Sequence, residues 1–199
     1  AANVLRITGA PHRFTPEVQS RAASAWAESL SGLPRPFIAL LVGGATHRRP
    51  FPVSVAADLG ARVAAMARMV GGSVLLATSR RTGPEAEAAL VSAIPEPRAA
   101  FLWGRGGDNP YFGYLALADG VVVTGDSVSM CSEACATPGP VWIAADAEFT
   151  APKHQRLHDE LYRLGYARPF TGRFETWSHP PLNAAADVAA AIHTLLTKV

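Results

Sequence analysis

A serine-rich segment after an apolar run carries the strongest chemical signal in this sequence. Residues 121–124 are mostly β-branched, and Gly125 leads from them into a helical pattern that begins near Ser127. Backbone N–H groups and hydroxyls at the start of such a helix bind anions, because the helix dipole places partial positive charge there. The alternative is that Ser127 only caps the helix. The predicted diphosphate-binding residues are Asp126, Ser127, Val128 and Ser129.

Glu133 lies one helical turn beyond this segment. A carboxylate in that place can accept hydrogen bonds from ribose hydroxyls without touching the diphosphate. The alternative is an ordinary solvated residue on a surface helix. We predict Glu133 as a ribose-binding residue.

Two other loops follow predicted strands and offer groups that suit a phosphate. Gly43 and Gly44 let the backbone approach a ligand closely, although they form neither a G-x-G-x-x-G nor a Walker pattern. Ser79 precedes Arg80 and Arg81, whose guanidinium groups can bind phosphate oxygens in pairs. A simple turn and a solvated arginine are the structural alternatives.

A glycine-rich loop, residues 104–109, leads into a predicted helix that begins at Pro110. Asp108 or Asn109 caps this helix, and proline is favoured at its first position. The loop could frame a base or sugar pocket, with Tyr111 offering a ring face, or its aromatic neighbours could simply fill the core.

A serine hydrolase is the competing hypothesis for the same segment. Residues 125–129 differ by one residue from the G-x-S-x-G nucleophile elbow, because Ser129 replaces the last glycine. Asp146 and either His154 or His158 follow in the order of a catalytic triad. The two histidines could also share a metal, but no third ligand is evident, and a solvated helix face is the simpler interpretation.

The elements that must position these residues alternate regularly from residue 37 onward. Apolar runs predict strands, and alanine-rich patterns predict helices between them. Such alternation indicates a Rossmann-like α/β domain, a doubly wound parallel sheet with helices on both faces. Ligands of such sheets bind beyond the carboxyl ends of the strands, so we expect the polar loops to converge there. The predicted strands are 37–42, 73–78, 99–103, 121–124 and 141–144, and the predicted helices are 53–70, 84–93, 110–117, 127–136 and 153–164.

The two ends of the chain fall outside this alternation. Residues 4–7 are a strand candidate, a helix is predicted from Thr15 to about Leu30, and a linker follows it. We expect residues 1–36 to be the remnant of a preceding domain and residues 37–182 to form the Rossmann-like domain. Asn183 caps a last predicted helix within residues 183–199.

Composition excludes several classes of protein. With 49% hydrophobic and 17% charged residues over 199 positions, the chain suits one globular domain rather than a disordered or collagen-like one. The net charge of +2 gives no reason to expect a nucleic-acid partner. No apolar stretch is long enough to cross a bilayer. Cys131 and Cys135 are expected to be small buried residues, which fits a cytoplasmic location.

Five strings of the sequence, taken in order, resemble the mitochondrial-fission ELM1-like family. That family resembles the GT-B glycosyltransferases, and this chain resembles their carboxyl-terminal, donor-binding half. The segment 121–146 is also similar to the nucleotide-sugar site of MurG-type enzymes. The strings are LLVGG at 40–44, TSRRT at 78–82, GDNPYFGYLALAD at 107–119, TGDSVSMCSEA at 124–134 and ARPF at 167–170.

The resemblance implies a role for each part of the site. Glu133 would hold the ribose, residues 127–129 the diphosphate, and His154 with Gln155 the donor sugar. The acceptor and the catalytic base would belong to an amino-terminal domain of the same protein, and the helix after Asn183 would pack back across the domain interface. The segment alone would then bind the donor without turning it over.

The expected function is therefore binding of a nucleotide-diphosphate-sugar as the donor substrate of a GT-B-type glycosyltransferase, with no cofactor. No D-x-D motif occurs in the sequence, so we expect no obligate metal. Arg80 or Arg81 would stabilise the leaving diphosphate. A non-catalytic scaffold that has kept this fold is the alternative. Peripheral association with a membrane stays open.

Overall fold

The structure of the protein, a computed structural model, describes residues 4–47 and 49–197. Its strands follow the apolar runs of the sequence, and its helices follow the alanine-rich patterns between them. The strands are β1 Phe37–Val42, β2 Ser73–Thr78, β3 Arg98–Phe101, β4 Gly120–Thr124, β5 Val141–Ala144 and β6 Arg168–Pro169. The helices are α1 Pro16–Leu30, α2 Val53–Met69, α3 Pro84–Ala93, α4 Tyr111–Leu117, α5 Val128–Ala134, α6 Pro152–Arg163 and α7 Ala184–Leu196.

All six strands are parallel and lie in the order β3-β2-β1-β4-β5-β6. The chain builds outward from β1 to β3, returns to pair β4 with β1, and then builds outward on the other side. This order confirms the predicted doubly wound sheet. The strand order reverses between β1 and β4, so a crevice opens at their carboxyl ends, where such folds bind ligands.

The central strands β1, β2, β4 and β5 are buried on both faces because they are almost wholly apolar, whereas the edge strands β3 and β6 are partly or fully exposed. In β1, Phe37, Ala39 and Leu41 contact one core cluster, which includes residues of α1, α4, α5 and α6. Ile38, Leu40 and Val42 contact the other, which includes residues of α2 and α3. Burial on both faces fixes the register of the sheet and holds the loops at its carboxyl edge in fixed positions.

The structure differs from the sequence predictions at residues 4–7 and at β6, and it leaves the predictions for the chain ends and the domain division untested. Residues 4–7 form no strand: this segment runs beside α6 instead, where Thr8 donates a hydrogen bond to Glu160 at 2.7 Å. Strand β6 was not expected, since two residues that include Pro169 give no apolar run, and proline is tolerated at a sheet edge. The ends of the predicted terminal segments, residues 1–3 and 198–199, lie outside the described residues. The proposed division into domains stays a prediction.

Helix α7 contributes little to the core. Of its side chains only Ala184 is buried, while Ile192, Leu195 and Leu196 are more than half exposed. Over the described range, no helix combines the length and the hydrophobicity that a bilayer span needs.

Candidate functional site

The loops after β1, β2 and β4 meet in direct contact at the carboxyl edge of the sheet. The backbone N–H of Gly43 donates a hydrogen bond to Thr124 Oγ1 at 2.8 Å. The carbonyl of Gly43 accepts hydrogen bonds from the hydroxyls of Ser79 and Thr82. This part of the predicted convergence is therefore present, and it is held by hydrogen bonds rather than by proximity alone.

Glycine is required at two positions in the cluster that the loops after β1, β2 and β4 form. A Cβ on Gly43 would overlap the carboxylate of Asp126, whose Oδ1 would be 2.7 Å away. Gly44 has a φ of +116°, and a Cβ there would overlap the backbone of Arg81 and lie 2.6 Å from Thr82 Cα. The two glycines of the β1 loop are thus needed by the protein's own packing, whatever ligand approaches them.

Asp126 is an enclosed carboxylate beside a single cation. Its side chain is 0% exposed, and its Oδ2 lies 2.7 Å from Nη1 of Arg81. The attraction is one of charge only, because Nη1 directs its hydrogen bonds to the carbonyls of Gly44 and Ala45 and neither oxygen of Asp126 receives one. Among the described residues this buried carboxylate accepts no hydrogen bond, which is costly, so Asp126 is a candidate functional residue.

The two adjacent arginines occupy different environments. Arg81 is partly buried, and among the described residues its Nε and Nη2 make no hydrogen bond to protein. Arg80 is exposed. The structure therefore places Arg81 in the cluster and leaves Arg80 at its surface, a distinction that the sequence left open.

Two histidines of α6 face the same edge. His158 is fully buried against Gly125, where a Cβ on the glycine would lie 2.6 Å from its Cε1. Burial lowers the pKa of His158, and a marginal hydrogen-bond contact with the Gly125 backbone opposes that shift. His154 is one turn earlier, and burial, together with the Lys153 ammonium, lowers the pKa of its imidazole. Both rings are therefore favoured in the neutral form.

A cavity of about 990 Å³ opens between the β1 loop and the first turn of α6. Arg49 and Lys153 bring two cations to its wall, and Glu148 brings one carboxylate. His154 lines this cavity, whereas Gln155 lines a neighbouring one of about 500 Å³. The amide of Gln155 donates a hydrogen bond to Asp159 at 2.8 Å on its own helix. The two residues predicted together thus face different spaces.

The serine-rich segment fits, in part, the alternative in which Ser127 only caps a helix. Ser127 caps α5, and its hydroxyl accepts a hydrogen bond from the N–H of Met130 at 3.4 Å. Val128 is half-buried and Ser129 is exposed. Because α5 is only seven residues long, its start does not by itself make an anion site, and the predicted diphosphate contact stays a prediction.

Glu133 is not an ordinary solvated residue. It is half-buried, and its Oε2 accepts a hydrogen bond from the hydroxyl of Tyr111 at 2.7 Å. Burial raises the pKa of Glu133, while the Tyr111 hydrogen bond and the nearby His12 and Arg13 oppose that rise. The carboxylate is thus oriented toward α4, and its role toward ribose remains untested.

Replacing Tyr111 with phenylalanine is expected to raise the pKa of Glu133 further. The substitution removes the hydrogen bond that favours the ionised carboxylate and leaves the burial that opposes it. A pH titration of the Glu133 carboxyl by NMR in both proteins measures the change. Tyr166→Phe serves as the control, and an unmoved or lowered pKa in Tyr111→Phe would contradict the assignment.

The loop after β3 joins the cluster only at its start. The N–H of Trp103 donates to Thr78 Oγ1 at 2.9 Å, but Asp108 and Asn109 are exposed. Asn109 accepts a hydrogen bond from the N–H of Tyr111 at 3.0 Å, as a capping residue does. Asp108 and Asn109 make no hydrogen bond to the Gly43 and Asp126 cluster within the described chain.

The hydrolase arrangement is not assembled. Ser127 is engaged with Met130, and Asp146 accepts a hydrogen bond from the N–H of Glu148 rather than from an imidazole. Neither His154 nor His158 is bonded to Ser127. Across the residues that the structure covers, no group of three metal-ligating side chains is close enough to hold an ion.

Arg49 and Lys153 were missed in the sequence. The available signal was their position: Lys153 begins the predicted helix 153–164, and Arg49 shortly precedes the predicted helix 53–70. Only the path of the β1 loop shows that Arg49 reaches the loop before α6, where its Nη1 donates to the carbonyl of Ala147.

These features define a doubly wound α/β domain with a polar, partly cationic site at the carboxyl edge of its parallel sheet. The chain belongs to the family described as Mitochondrial fission ELM1, whose model matches residues 1–196.

Two relatives are similar in sequence. The mitochondrial fission protein ELM1 of Arabidopsis thaliana is 32% identical over 193 residues, which cover 96% of this chain and 45% of that protein. The uncharacterized protein RP120 of Rickettsia prowazekii (strain Madrid E) is 38% identical over 88 residues, which cover 43% of this chain and 25% of that protein. The chain thus spans less than half the length of these curated relatives.

Proposed function

We propose that this domain binds a nucleotide-diphosphate-sugar as the donor half of a GT-B-type glycosyltransferase. The observation that carries the proposal is the cavity of about 990 Å³ between the loop after β1 and the first turn of α6, whose described lining residues include two cations and one carboxylate. Nucleotides bind at this edge of doubly wound sheets, and a net positive lining favours their phosphates.

The diphosphate has candidate donors in the cavity and in the loops beside it. Lys153 lines the cavity from the first turn of α6, a helix of 12 residues. Arg81 is outside the cavity lining; it is anchored by two carbonyls and keeps Nε and Nη2 free of protein acceptors among the described residues. Guanidinium and ammonium groups placed in advance stabilise the charge that develops on a leaving diphosphate without a metal ion.

The other predicted contacts are proposed to lie along the carboxyl edge of the sheet, on either side of the diphosphate. Glu133 is proposed to receive ribose hydroxyls at one end, and Ser127 and Ser129 to lie along the diphosphate. At the other end Gln155, which lines the neighbouring cavity of about 500 Å³, is proposed to border the sugar, with His154 nearer the diphosphate. Glu133 is already oriented by Tyr111, so the ribose contact costs little additional ordering.

A calorimetric and thermal-shift panel tests this function. UDP-, GDP-, ADP- and dTDP-sugars are titrated into the wild type, because a ligand that binds only the folded state raises the melting temperature. Lys153→Gln is expected to weaken binding about tenfold, as loss of one phosphate-binding cation does. Glu133→Gln is expected to weaken it through the ribose.

Arg156→Gln is the matched control for Lys153→Gln, since Arg156 is an exposed cation of the same helix outside the cavity lining. Equal losses in the two variants would show a general charge effect instead of a site. No binding by any member of the panel would overturn the proposed function.

The second candidate is a protein-interaction scaffold with this fold and no chemistry. It is favoured by the exposed apolar side chains of α7, Ile192, Leu195 and Leu196. The relative from Arabidopsis thaliana is named for mitochondrial fission. A scaffold predicts no response to any nucleotide-sugar.

A further inference from the structure

Three ionisable side chains at the carboxyl edge bury polar atoms that are poorly satisfied by the described residues. Neither oxygen of Asp126 accepts a hydrogen bond, although Oδ2 is ion-paired with Arg81 at 2.7 Å, and Nδ1 of His154 has no partner. The buried ring of His158 makes at most a marginal hydrogen bond to the Gly125 backbone. Buried polar atoms are almost always paired, so this group of side chains needs a functional account.

His154 differs from His158 in having one accessible side. Its Nδ1 is enclosed, but Nε2 is not among the buried atoms, and the residue lines the cavity of about 990 Å³. His158, one turn later on the same face of α6, packs on Gly125, the residue before Asp126. The Asp126 carboxylate acts on the pKa of both imidazoles and raises it. His154 therefore lines the cavity at a place where the negative charge of Asp126 favours the protonated ring.

Charged groups of several elements lie around His154 and act on the pKa of its ring or share its cavity. Burial, Lys153 and Arg81 lower the pKa of His154, and Asp126 raises it. An anion in the cavity would offset the nearby cations and add to the effect of Asp126. The charged and titratable groups that face the ring or share its cavity are Lys153 and His158 of α6, Asp126 after β4, Arg81 after β2, His47 and Arg49 of the β1 loop, and Glu148 after β5.

We propose that His154 takes up one proton when a diphosphate occupies the cavity, so that Nε2–H donates to a phosphate oxygen. This inference rests on the proposed function and assigns the group that couples donor binding to pH. The proton comes from solvent: neutral imidazole, diphosphate and one hydrogen ion give an imidazolium bound to the diphosphate. No covalent bond between heavy atoms forms or breaks.

The affinity for the diphosphate is therefore expected to depend on pH. Above the pKa of His154 in the complex, the ring is neutral in both states, and below its pKa in the free protein it is protonated in both. Between these limits affinity rises as pH falls, by up to about tenfold per pH unit for one linked proton. Asp126 acts as a positioning residue, because its carboxylate stabilises the imidazolium.

Calorimetry in buffers of different ionisation heat measures the proton directly. Inorganic pyrophosphate, UDP, GDP, ADP and dTDP are titrated into the wild type, His154→Gln and Asp126→Asn at about pH 7. The wild type is expected to take up between about half a proton and one proton per bound diphosphate. His154→Gln is expected to take up none and to bind about tenfold more weakly.

His193→Gln is the matched control, since His193 is an exposed histidine of α7, and it should keep the full uptake. The NMR signal of the His154 ring in the wild type gives a second measurement that needs no variant: at constant pH it should move toward the protonated position as diphosphate is added. Asp126→Asn should reduce the uptake while the protein stays folded by its melting curve.

The outcomes separate the two proposals. Binding without proton uptake, or uptake that survives His154→Gln, overturns the role of His154 and leaves the proposed function standing. Absence of binding by pyrophosphate and all four nucleoside diphosphates overturns both. Uptake lost equally in His193→Gln overturns the assignment to His154.

Discussion

Replacing Arg81 with methionine is expected to lower the free energy of unfolding by about 3 kcal/mol. Methionine keeps much of the arginine's length but removes the cation that lies 2.7 Å from the enclosed carboxylate of Asp126. No hydrogen-bond donor remains near either oxygen. The carboxylate must then stay ionised without compensation or take up a proton, and both are unfavourable in a site closed to water. Urea unfolding of both proteins at neutral pH measures the loss.

Two further variants make this result specific. Arg80→Met is the matched control, and it should change the free energy of unfolding by less than about 0.5 kcal/mol, because Arg80 is exposed. Asp126→Asn should recover part of the Arg81→Met loss, since it removes the uncompensated charge. A double-mutant cycle with no coupling between the two positions would show that the ion pair contributes nothing to stability.

The order of the elements could be predicted from the sequence because the central strands β1, β2, β4 and β5 are nearly all apolar on both faces. Such runs have few alternatives to a buried parallel strand. The same argument failed at residues 4–7, where an apolar, extended pattern has no neighbouring strand and packs along α6 instead. The opposite error occurred at β6, a strand that was not predicted. Its pairing with Trp142 and Ile143 depends on its position in the folded chain rather than on its own two residues.

The site could be predicted only to the level of its loops. Carboxyl ends of parallel strands meet at one edge, so Gly43, Ser79 and Asp126 were expected together, and they are. The choice of Arg81 over Arg80 could not be made, since it depends on which side chain the turn after β2 directs inward. The separation of His154 from Gln155 into two cavities depends equally on the path of residues 145–151.

The enclosed carboxylate of Asp126 requires the two glycines of the β1 loop, because side chains at those positions would overlap Asp126 or the backbone of Arg81. Asp126 can lie beneath that loop only because Gly43 has no side chain, and Arg81 reaches Asp126 only because Gly44 lets the two backbones approach. Nη1 of Arg81 donates to the carbonyls of Gly44 and Ala45, and the N–H of Ala45 donates to the carbonyl of Arg81 at 2.9 Å. Loop, cation and anion therefore form one unit, and a change in any of them should disturb the other two.

Gly44→Ala is accordingly expected to lower the free energy of unfolding by about 3 to 4 kcal/mol. A φ of +116° is unfavourable for alanine by about 1–2 kcal/mol. The new Cβ would also overlap the carbonyl of Arg81, a backbone group that can move only if the β1 and β2 loops separate. Relieving this overlap costs about 1–3 kcal/mol more. Chemical denaturation of the variant and the wild type gives the difference.

Gly71→Ala isolates the contribution of the overlap. Gly71 also has a positive φ, +67°, but a Cβ there would meet nothing within 4 Å. Its loss should be about 1 kcal/mol, from backbone conformation alone. If the two alanine variants lose the same stability, the close approach of the two loops is not what requires glycine at position 44. If Gly44→Ala loses much more and also weakens diphosphate binding, the approach that positions Arg81 is the physical basis of the site.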